Sequence, residues 1–272
     1  MKTDLPVPAG FEVIATGAGC LVASSRHVQA LRDGRFDDPV RWESELDGVE
    51  AAAGRGGTAR VELASGVGLR VKQMRRGGLA GPLWRDRFAG TGRLLDNLHV
   101  PLVAAERGVP TAAPVALLLR EGPPGFYRGW VAVEEIRDAR DLISRLRSGD
   151  GPAPEELASA IELVRRMHEA GIEHRDLNLG NLLVRPGADR PEAFIIDLDR
   201  ARVHDGPLPF RLRRRGIRRL ERSYVKTTGN RGGEVAWHRL YAAGDPELVR
   251  RLERGRWVGR VGILLHGLSW RR

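Results

Sequence analysis

The segment from residue 171 to residue 199 constrains the fold of this chain more than any other. An amphipathic stretch with helical spacing, Pro154 to Ala170, precedes it and stops at Gly171, a residue type favoured just past a helix. The segment then reads His174-Arg175-Asp176-Leu177-Asn178-Leu179-Gly180-Asn181, Leu182 to Val184, a polar turn at 185–190, and Ala193-Phe194-Ile195-Ile196-Asp197-Leu198-Asp199. This order predicts a helix, a polar loop and two short strands that lead to an acidic motif.

The polar loop and the acidic motif match the HRDxxxxN loop and the DFG-type metal site of kinases in order and spacing. Phosphoryl transfer needs stabilisation of negative charge on phosphate oxygens and a group that orients the attacking hydroxyl. We predict that Asp176 accepts the hydroxyl proton or holds the hydroxyl in line, and that Asn181 and Asp197 supply oxygen ligands to Mg²⁺. Any one of these residues alone would be interpreted as a turn former or a helix cap.

An upstream segment has the order expected of a nucleotide-binding lobe. Leu69-Arg70-Val71-Lys72 resembles the strand that carries the kinase lysine, and it follows a glycine-rich turn and a predicted hairpin with Ser65-Gly66 at its tip. We predict that Lys72 pairs with the α- and β-phosphates of ATP. The other predicted cofactor-binding residues are Gly54, Gly56, Gly57 and Thr58 in the turn, and Glu134 and Ile136, whose backbone groups would bind adenine at a hinge.

These elements predict an α+β, bilobal protein-kinase-like fold. Residues 1–133 would form an N-terminal elaboration and a small β-rich N-lobe, and residues 134–272 a larger, mainly helical C-lobe. A chain of 272 residues is long enough for two modest lobes. The first fifty residues contain short apolar stretches but no residues that suggest chemistry.

Composition excludes several other classes of protein. Hydrophobic residues make up 42% and charged residues 29% of the chain, as in a globular protein with a buried core. The single cysteine, Cys20, excludes an internal disulfide and a Cys-rich metal site and favours a reducing compartment. The net charge of +10 implies an anionic partner, but the absence of RRM, KH and zinc-finger patterns and an aromatic content of 6% argue against nucleic acid.

The motif residues resemble one kinase family in particular, the lipopolysaccharide-core sugar kinases, especially those that act on 3-deoxy-D-manno-octulosonic acid (Kdo). The resemblance rests on the polar loop, the acidic motif and several N-lobe segments: Arg75-Arg76-Gly77-Gly78-Leu79, Arg85-Asp86-Arg87-Phe88, Thr91-Gly92, Gly108-Val109-Pro110, Pro114-Val115 and Ile196-Asp197-Leu198-Asp199-Arg200. It implies Mg²⁺-dependent phosphate transfer from ATP to a Kdo hydroxyl, such as the 4-hydroxyl, on a lipid A precursor. It also implies a cytoplasmic protein that is peripheral on the inner membrane.

Five arginines support that location. Arg211, Arg214, Arg215, Arg218 and Arg222 have the spacing of one helical face, and the apolar residues Phe210, Ile217, Leu220 and Tyr224 form another. The basic face is predicted to bind an anionic membrane surface.

Two positions depart from the kinase pattern and leave alternatives open. Alignment with the family puts Asn97 where a helix glutamate normally holds the kinase lysine, with Asp96 beside it, so either residue could hold Lys72 or activity could be impaired. Asp199 stands where protein kinases have Gly, and it could assist a second metal, contact the acceptor or stabilise a turn. The alternatives are a kinase for a heptose, a small molecule or protein Ser/Thr, and a catalytically silent nucleotide-binding scaffold. The sequence leaves the oligomeric state open.

Overall fold

A computed structural model describes residues 5–53, 58–75, 86–148, 151–229 and 237–254. The chain divides into two compact units, and each includes residues from two separate parts of the sequence. The first unit contains Met1–Val103 and Ala112–Arg137, and the second contains Ala104–Thr111 and Asp138–Arg272.

The first unit is built on an antiparallel sheet whose hydrogen-bonded order is β1-β2-β6-β7-β4-β3, with β5 paired to β7. Its strands are β1 (Phe11–Thr16), β2 (Gly19–Ser24), β3 (Ala59–Glu62), β4 (Gly68–Gln73), β5 (Phe88–Ala89), β6 (Pro114–Glu121) and β7 (Phe126–Glu134). The predicted hairpin at 59–74 is confirmed, since β3 and β4 are antiparallel neighbours. Gly66 in their turn has a φ of +80°, a conformation that glycine adopts without steric cost.

The N-terminal residues belong to the core of this unit. They add β1, β2 and two helices, α1 (Val28–Asp33) and α2 (Pro39–Ala53), to the sheet. Phe36 and Trp42 are fully buried and meet edge to face at 5.4 Å, and Trp42 Nε1 donates to the carbonyl oxygen of Phe36. Cys20 lies in β2, and burial raises the pKa of its thiol to about 11, so it behaves as a small apolar residue.

The helix α3 (Gly92–Glu106) contributes Leu94, Leu95 and Leu98 to a second hydrophobic cluster of this unit. Its residue Asn97 is also buried, whereas its neighbour Asp96 is exposed. Successive helical residues are rotated by about 100°, which explains why adjacent side chains have opposite environments.

The second unit contains two small sheets and several helices. Its strands are β8 (Arg140–Asp141), β9 (Ile172–Glu173), β10 (Leu182–Arg185), β11 (Glu192–Ile195) and β12 (Arg202–Val203), with orders β11-β10-β8 and β12-β9. Its helices are α4 (Leu142–Arg147), α5 (Pro154–Glu169), α6 (Phe210–Thr228), α7 (Trp237–Ala242) and α8 (Pro246–Glu253).

The helix predicted over Pro154 to Ala170 is confirmed as α5. Glu156 accepts a hydrogen bond from the backbone N–H of Ala153 and caps its first turn. Ile161, Val164 and Met167 are fully buried. Gly171 follows the helix with a φ of +76°, and a Cβ there would lie 2.5 Å from the carbonyl oxygen of Gly206. The helix therefore ends where the sequence predicts.

The helix α6 buries Gly216, Ile217 and Leu220, but its arginines do not form one uniform exposed face. Arg211, Arg215 and Arg222 are exposed. Arg214 is half-buried, and its guanidinium lies 3.4 Å from the carbonyl oxygen of Arg254. Arg218 is also half-buried, and burial lowers the pKa of its guanidinium. Of the five arginines predicted to share one helical face, three are therefore exposed and two are half-buried.

No helix in the described ranges is both long and apolar enough to cross a membrane.

Candidate active site

The predicted catalytic loop is a compact turn held by two asparagine side chains. It begins after β9 and ends in a short 3₁₀ turn, Leu179–Asn181, that leads into β10. The amide nitrogens of Asn178 and Asn181 donate to the carbonyl oxygen of Asp176, at 2.8 and 3.1 Å. The Asn178 side chain also accepts from the backbone N–H of Gly180 at 2.8 Å. These bonds fix the backbone of Asp176 while its own carboxylate is exposed.

A buried histidine joins this loop to the acidic motif. His174 Nδ1 lies 3.3 Å from the backbone nitrogen of Asp176, and Nε2 lies 3.1 Å from the carbonyl oxygen of Ile196. An N–H can only donate and a carbonyl can only accept, so the imidazole carries its proton on Nε2. Burial lowers the pKa of His174, which favours this neutral form.

The strands β10 and β11 bring Asn181 next to the acidic motif. They pair with Leu182 opposite Ile195, and the N–H of Ile196 donates to the carbonyl oxygen of Asn181 at 3.0 Å. Asp197 follows directly, with a φ of +62°. A left-handed backbone is uncommon for a residue other than glycine, and such strain concentrates at functional sites.

The donor set at this position fits a magnesium ion that also binds substrate phosphates. Asn181 and Asp197 offer an amide oxygen and a carboxylate, which are hard ligands. In the parts of the chain described, no three His, Cys, Asp or Glu side chains are grouped so that they could hold a metal. Mg²⁺ at phosphoryl-transfer sites commonly uses one or two carboxylates and completes its coordination with phosphates and water, so this sparse set suits it.

Two arginines lie close to Asp176. Arg200 Nη1 contacts Asp176 Oδ2 at 3.0 Å. Arg219, on α6, has its Nη1 3.5 Å from the carbonyl oxygen of His174. The helix is fixed against the loop by Ser223, whose hydroxyl accepts from the backbone N–H of Leu179 at 3.2 Å.

The other predicted site residues lie in the first unit. Lys72 is on β4, opposite Val131 of β7, and is partly buried. Thr58 is exposed just before β3, whereas Gly54, Gly56 and Gly57 lie outside the described residues. The roles of these residues stay predictions.

The predicted hinge begins at the last residue of β7. The backbone N–H groups of Glu134 and Glu135 donate to the carbonyl oxygens of Ala113 and Gly68, both at 2.8 Å. The predicted contact of the Glu134 backbone with adenine would therefore use its carbonyl oxygen and not its N–H. The carboxylate of Glu135 binds Arg60 and Arg70, so its side chain has a structural role between β3 and β4.

Asn97, which departs from the kinase pattern, is buried within the first unit. The Asn97 amide nitrogen lies 3.2 Å from the carbonyl oxygen of Arg93 and 3.1 Å from that of Leu94, both in its own helix. Asn97 therefore occupies the inward position that alignment gives to the helix glutamate, and Asp96 does not.

Comparison with known proteins gives the family. A model of the lipopolysaccharide kinase (Kdo/WaaP) family matches residues 40–243, about three quarters of the chain. The chain belongs to this family. It is therefore a kinase of lipopolysaccharide biosynthesis, a phosphotransferase that uses ATP and acts on a sugar hydroxyl.

Individual relatives agree with this assignment. A 3-deoxy-D-manno-octulosonic acid kinase of Xanthomonas oryzae pv. oryzae (strain PXO99A) is 31% identical over 224 residues, which cover 80% of this kinase and 85% of the relative. The enzyme of the same name from Actinobacillus succinogenes is 29% identical over 210 residues, which cover 73% and 83% of the two chains.

A solved structure of WaaP in complex with acyl carrier protein has a TM-score of 0.53 and 23% identity, covering 88% of this kinase and 95% of that chain. Together with the family, this likeness confirms the predicted α+β kinase-like fold.

Sequence reasoning did not single out Arg219 or the bridging role of His174. It identified Arg200 only as part of the acidic motif. The position of this arginine directly after Asp199 is the one feature of the sequence that could have indicated its contact with Asp176. No feature of the sequence indicates the role of Arg219, because its proximity to the loop depends on which side of α6 packs against Leu179.

Proposed function

We propose that this kinase transfers the γ-phosphate of ATP to a hydroxyl of Kdo in the lipopolysaccharide inner core, on a lipid A precursor. The observation that carries the proposal is one hydrogen-bonded cluster in the second unit. In it, the Asn181 side chain holds Asp176, and the backbone before Asp197 is bonded to both His174 and Asn181. Two relatives are named 3-deoxy-D-manno-octulosonic acid kinase, and this supports Kdo over a heptose as the acceptor.

Each residue of the cluster has a distinct role in this proposal. Asp176 orients the acceptor hydroxyl and takes its proton as the hydroxyl oxygen bonds to the γ-phosphorus. The bond from that phosphorus to the β–γ bridging oxygen breaks, and ADP leaves. Asn181 and Asp197 would hold Mg²⁺, which neutralises charge on the phosphates when bound.

We assign nucleotide binding to residues of the first unit, which would be the small lobe. Lys72 pairs with the α- and β-phosphates, while Gly54, Gly56, Gly57 and Thr58 cover them. The carbonyl oxygen of Glu134 and the backbone of Ile136 contact adenine. The second unit would be the large lobe.

A transfer assay with Mg-ATP and purified Kdo-lipid A precursor tests this function. Asp197→Ala should remove Mg²⁺-dependent turnover, and Asp176→Asn should lower kcat by about 10²- to 10⁴-fold while Mg-ATP still binds in calorimetry. Asp189→Asn, on an exposed turn, is the matched control and should retain activity. ATP binding without transfer to any sugar by the unaltered protein would favour the catalytically silent scaffold.

We also propose that the enzyme acts at the cytoplasmic face of the inner membrane, held there by the exposed arginines of α6. Arg211, Arg215 and Arg222 are exposed on this helix, and each basic side chain near an anionic surface adds about 1 kcal/mol of attraction. This charge suits an acceptor that is itself an anionic lipid. The net charge of +10 points in the same direction.

Vesicle flotation tests the membrane proposal. Arg211, Arg215 and Arg222 changed together to Glu should abolish binding to phosphatidylglycerol vesicles at low salt and preserve Mg-ATP binding. Arg26, Arg32 and Arg35, exposed in the first unit, changed together to Glu make the same charge change and should retain vesicle binding. Equal losses in both triple variants would show that only net charge matters.

A further inference from the structure

The strongest unassigned feature of the second unit is the positive charge beside Asp176. Arg200 contacts one carboxylate oxygen of Asp176, and Arg219 approaches the backbone two residues earlier. The loop thus has two guanidinium groups near one proposed base. A negatively charged group of a substrate could bind to N–H donors of these guanidinium groups.

Stability does not explain the Arg200 contact. The Arg200 and Asp176 side chains are 44% and 48% exposed, and ion pairs this accessible to water contribute little to folding. A permanently charged side chain at a proposed base also competes with the acceptor for the same carboxylate. Its position is better explained by binding of a substrate group.

The geometry leaves donor capacity for such a group. Arg200 uses Nη1 to contact Asp176 Oδ2, and a guanidinium carries five N–H donors in a planar fork. This fork matches the two oxygens of a carboxylate. An acceptor whose hydroxyl is held by Asp176 would place a nearby carboxylate within reach of the remaining donors.

Arg219 adds a second positive charge near the loop. It is half-buried on α6, and the pKa of its guanidinium is lowered, first by burial and then by the neighbouring charge of Arg215. A cation that is partly removed from water gains more from an anionic ligand than an exposed one does.

We propose that Arg200 is a specificity-determining residue that binds the carboxylate of an acidic sugar while Asp176 holds the sugar hydroxyl, with Arg219 adding to the positive field. The proposal rests on the proposed function, because it concerns the acceptor of that same reaction. It selects acidic sugars over neutral ones of similar shape. The γ-phosphate is the competing anion for Arg200, and the experiment separates the two.

The experiment compares an acidic Kdo acceptor with the same acceptor carrying a carboxamide in place of the carboxylate. The unaltered enzyme should prefer the acid by about 10- to 100-fold in kcat/KM, the range for a charge-assisted hydrogen bond. Arg200→Gln should lose that factor on the acid, so that the ratio between the two acceptors approaches one. The KM for ATP should stay unchanged.

Two further variants sharpen the comparison. Arg200→Lys keeps the charge but loses the fork, so its preference for the acid should be intermediate. Arg202→Gln removes an exposed arginine two residues away, on β12, and should keep the full preference.

The outcomes are distinct. If Arg200 acts on the γ-phosphate, Arg200→Gln lowers kcat equally on both acceptors and the preference persists, which overturns the inference and leaves the proposed function intact. An unaltered enzyme that does not distinguish acid from amide also overturns it. An enzyme that phosphorylates neither acceptor overturns the proposed function as well. If Arg200→Gln does not fold, the Arg200→Lys ratio decides, since an unchanged ratio there contradicts the proposal.

Discussion

The Nε2 atom of His174 lies 3.1 Å from the carbonyl oxygen of Ile196, the residue directly before Asp197. Through this contact and its Nδ1 bond to the backbone of Asp176, one buried ring joins the proposed base to the proposed metal ligand. We therefore expect this histidine to set the position of Asp197 without contacting substrate.

Replacing His174 with Leu should remove both bonds and leave the Ile196 carbonyl without its donor. We expect kcat to fall at least about tenfold and stability to fall by about 1–3 kcal/mol. The specific readout is the Mg²⁺ concentration for half-maximal activity, which should rise because Asp197 is less well held. His174→Gln, whose amide can donate to Ile196, should recover part of the Mg²⁺ dependence. A purely structural role would change stability alone.

The buried histidines should make folding stability depend on pH. Burial lowers the pKa of His168 from 6.5 to about 3, and the pKa of His174 is lowered for the same reason. Between pH 6.5 and 3 the unfolded chain therefore binds a proton at His168 that the folded chain excludes. Stability is full above pH 6.5 and falls with acidification by up to about 1.4 kcal/mol per pH unit for each histidine. Urea unfolding at several pH values measures this slope, and His168→Gln should reduce it.

Gly216 should resist substitution although it lies inside a helix. A Cβ at this position would be 2.9 Å from both Cε1 and Nε2 of His168, a ring that is buried and hydrogen-bonded to Tyr241. Overpacking costs about 1–3 kcal/mol, which exceeds the roughly 1 kcal/mol of helix propensity that alanine gains over glycine. Chemical denaturation of Gly216→Ala should therefore show net destabilisation. Gly206→Ala, whose added Cβ would meet no atom within 4 Å, should be neutral.

The Asn97→Glu variant tests whether the first unit still accommodates the lysine-pairing anion of other kinases. Asn97 is buried and faces inward, so a carboxylate there must find a cation or lose stability. We expect activity equal to or above that of the unaltered enzyme, because the new charge would hold Lys72. In a Lys72→Met background the same change should destabilise the protein. A large activity loss with Lys72 present would show that the helix is misaligned with the family.

Sequence patterns predicted the elements whose signals are local. The helix α5 has an apolar stripe and a glycine at its end, and β10 and β11 are short apolar runs on either side of a polar turn. The motif spacing was enough to identify Asp176, Asn181 and Asp197 as candidates, and hydrogen bonds within the second unit join the loop to the acidic motif.

Other features depend on contacts between distant parts of the chain, which a single sequence does not reveal. The hydrophobic spacing of α6 could not distinguish arginines in water from those packed on neighbouring residues, so it did not show that Arg214 and Arg218 are half-buried. By helix propensity alone, Gly216 is unfavourable inside a helix, and the sequence does not reveal its packing against His168, which is 48 residues away. The strands β8, β9 and β12 each have two residues, too few for any periodic signal.

The pairing of β2 with β6 has a practical consequence for anyone who shortens this chain. The family match begins at residue 40, yet β2 covers one side of β6, whose residues Val115 to Leu119 are fully buried. A chain beginning at residue 40 would expose an apolar strand with unsatisfied backbone groups, a ready template for intermolecular β-pairing. The family boundary is thus a poor guide to where a soluble fragment can start, and insolubility of such a fragment would say nothing about its active site.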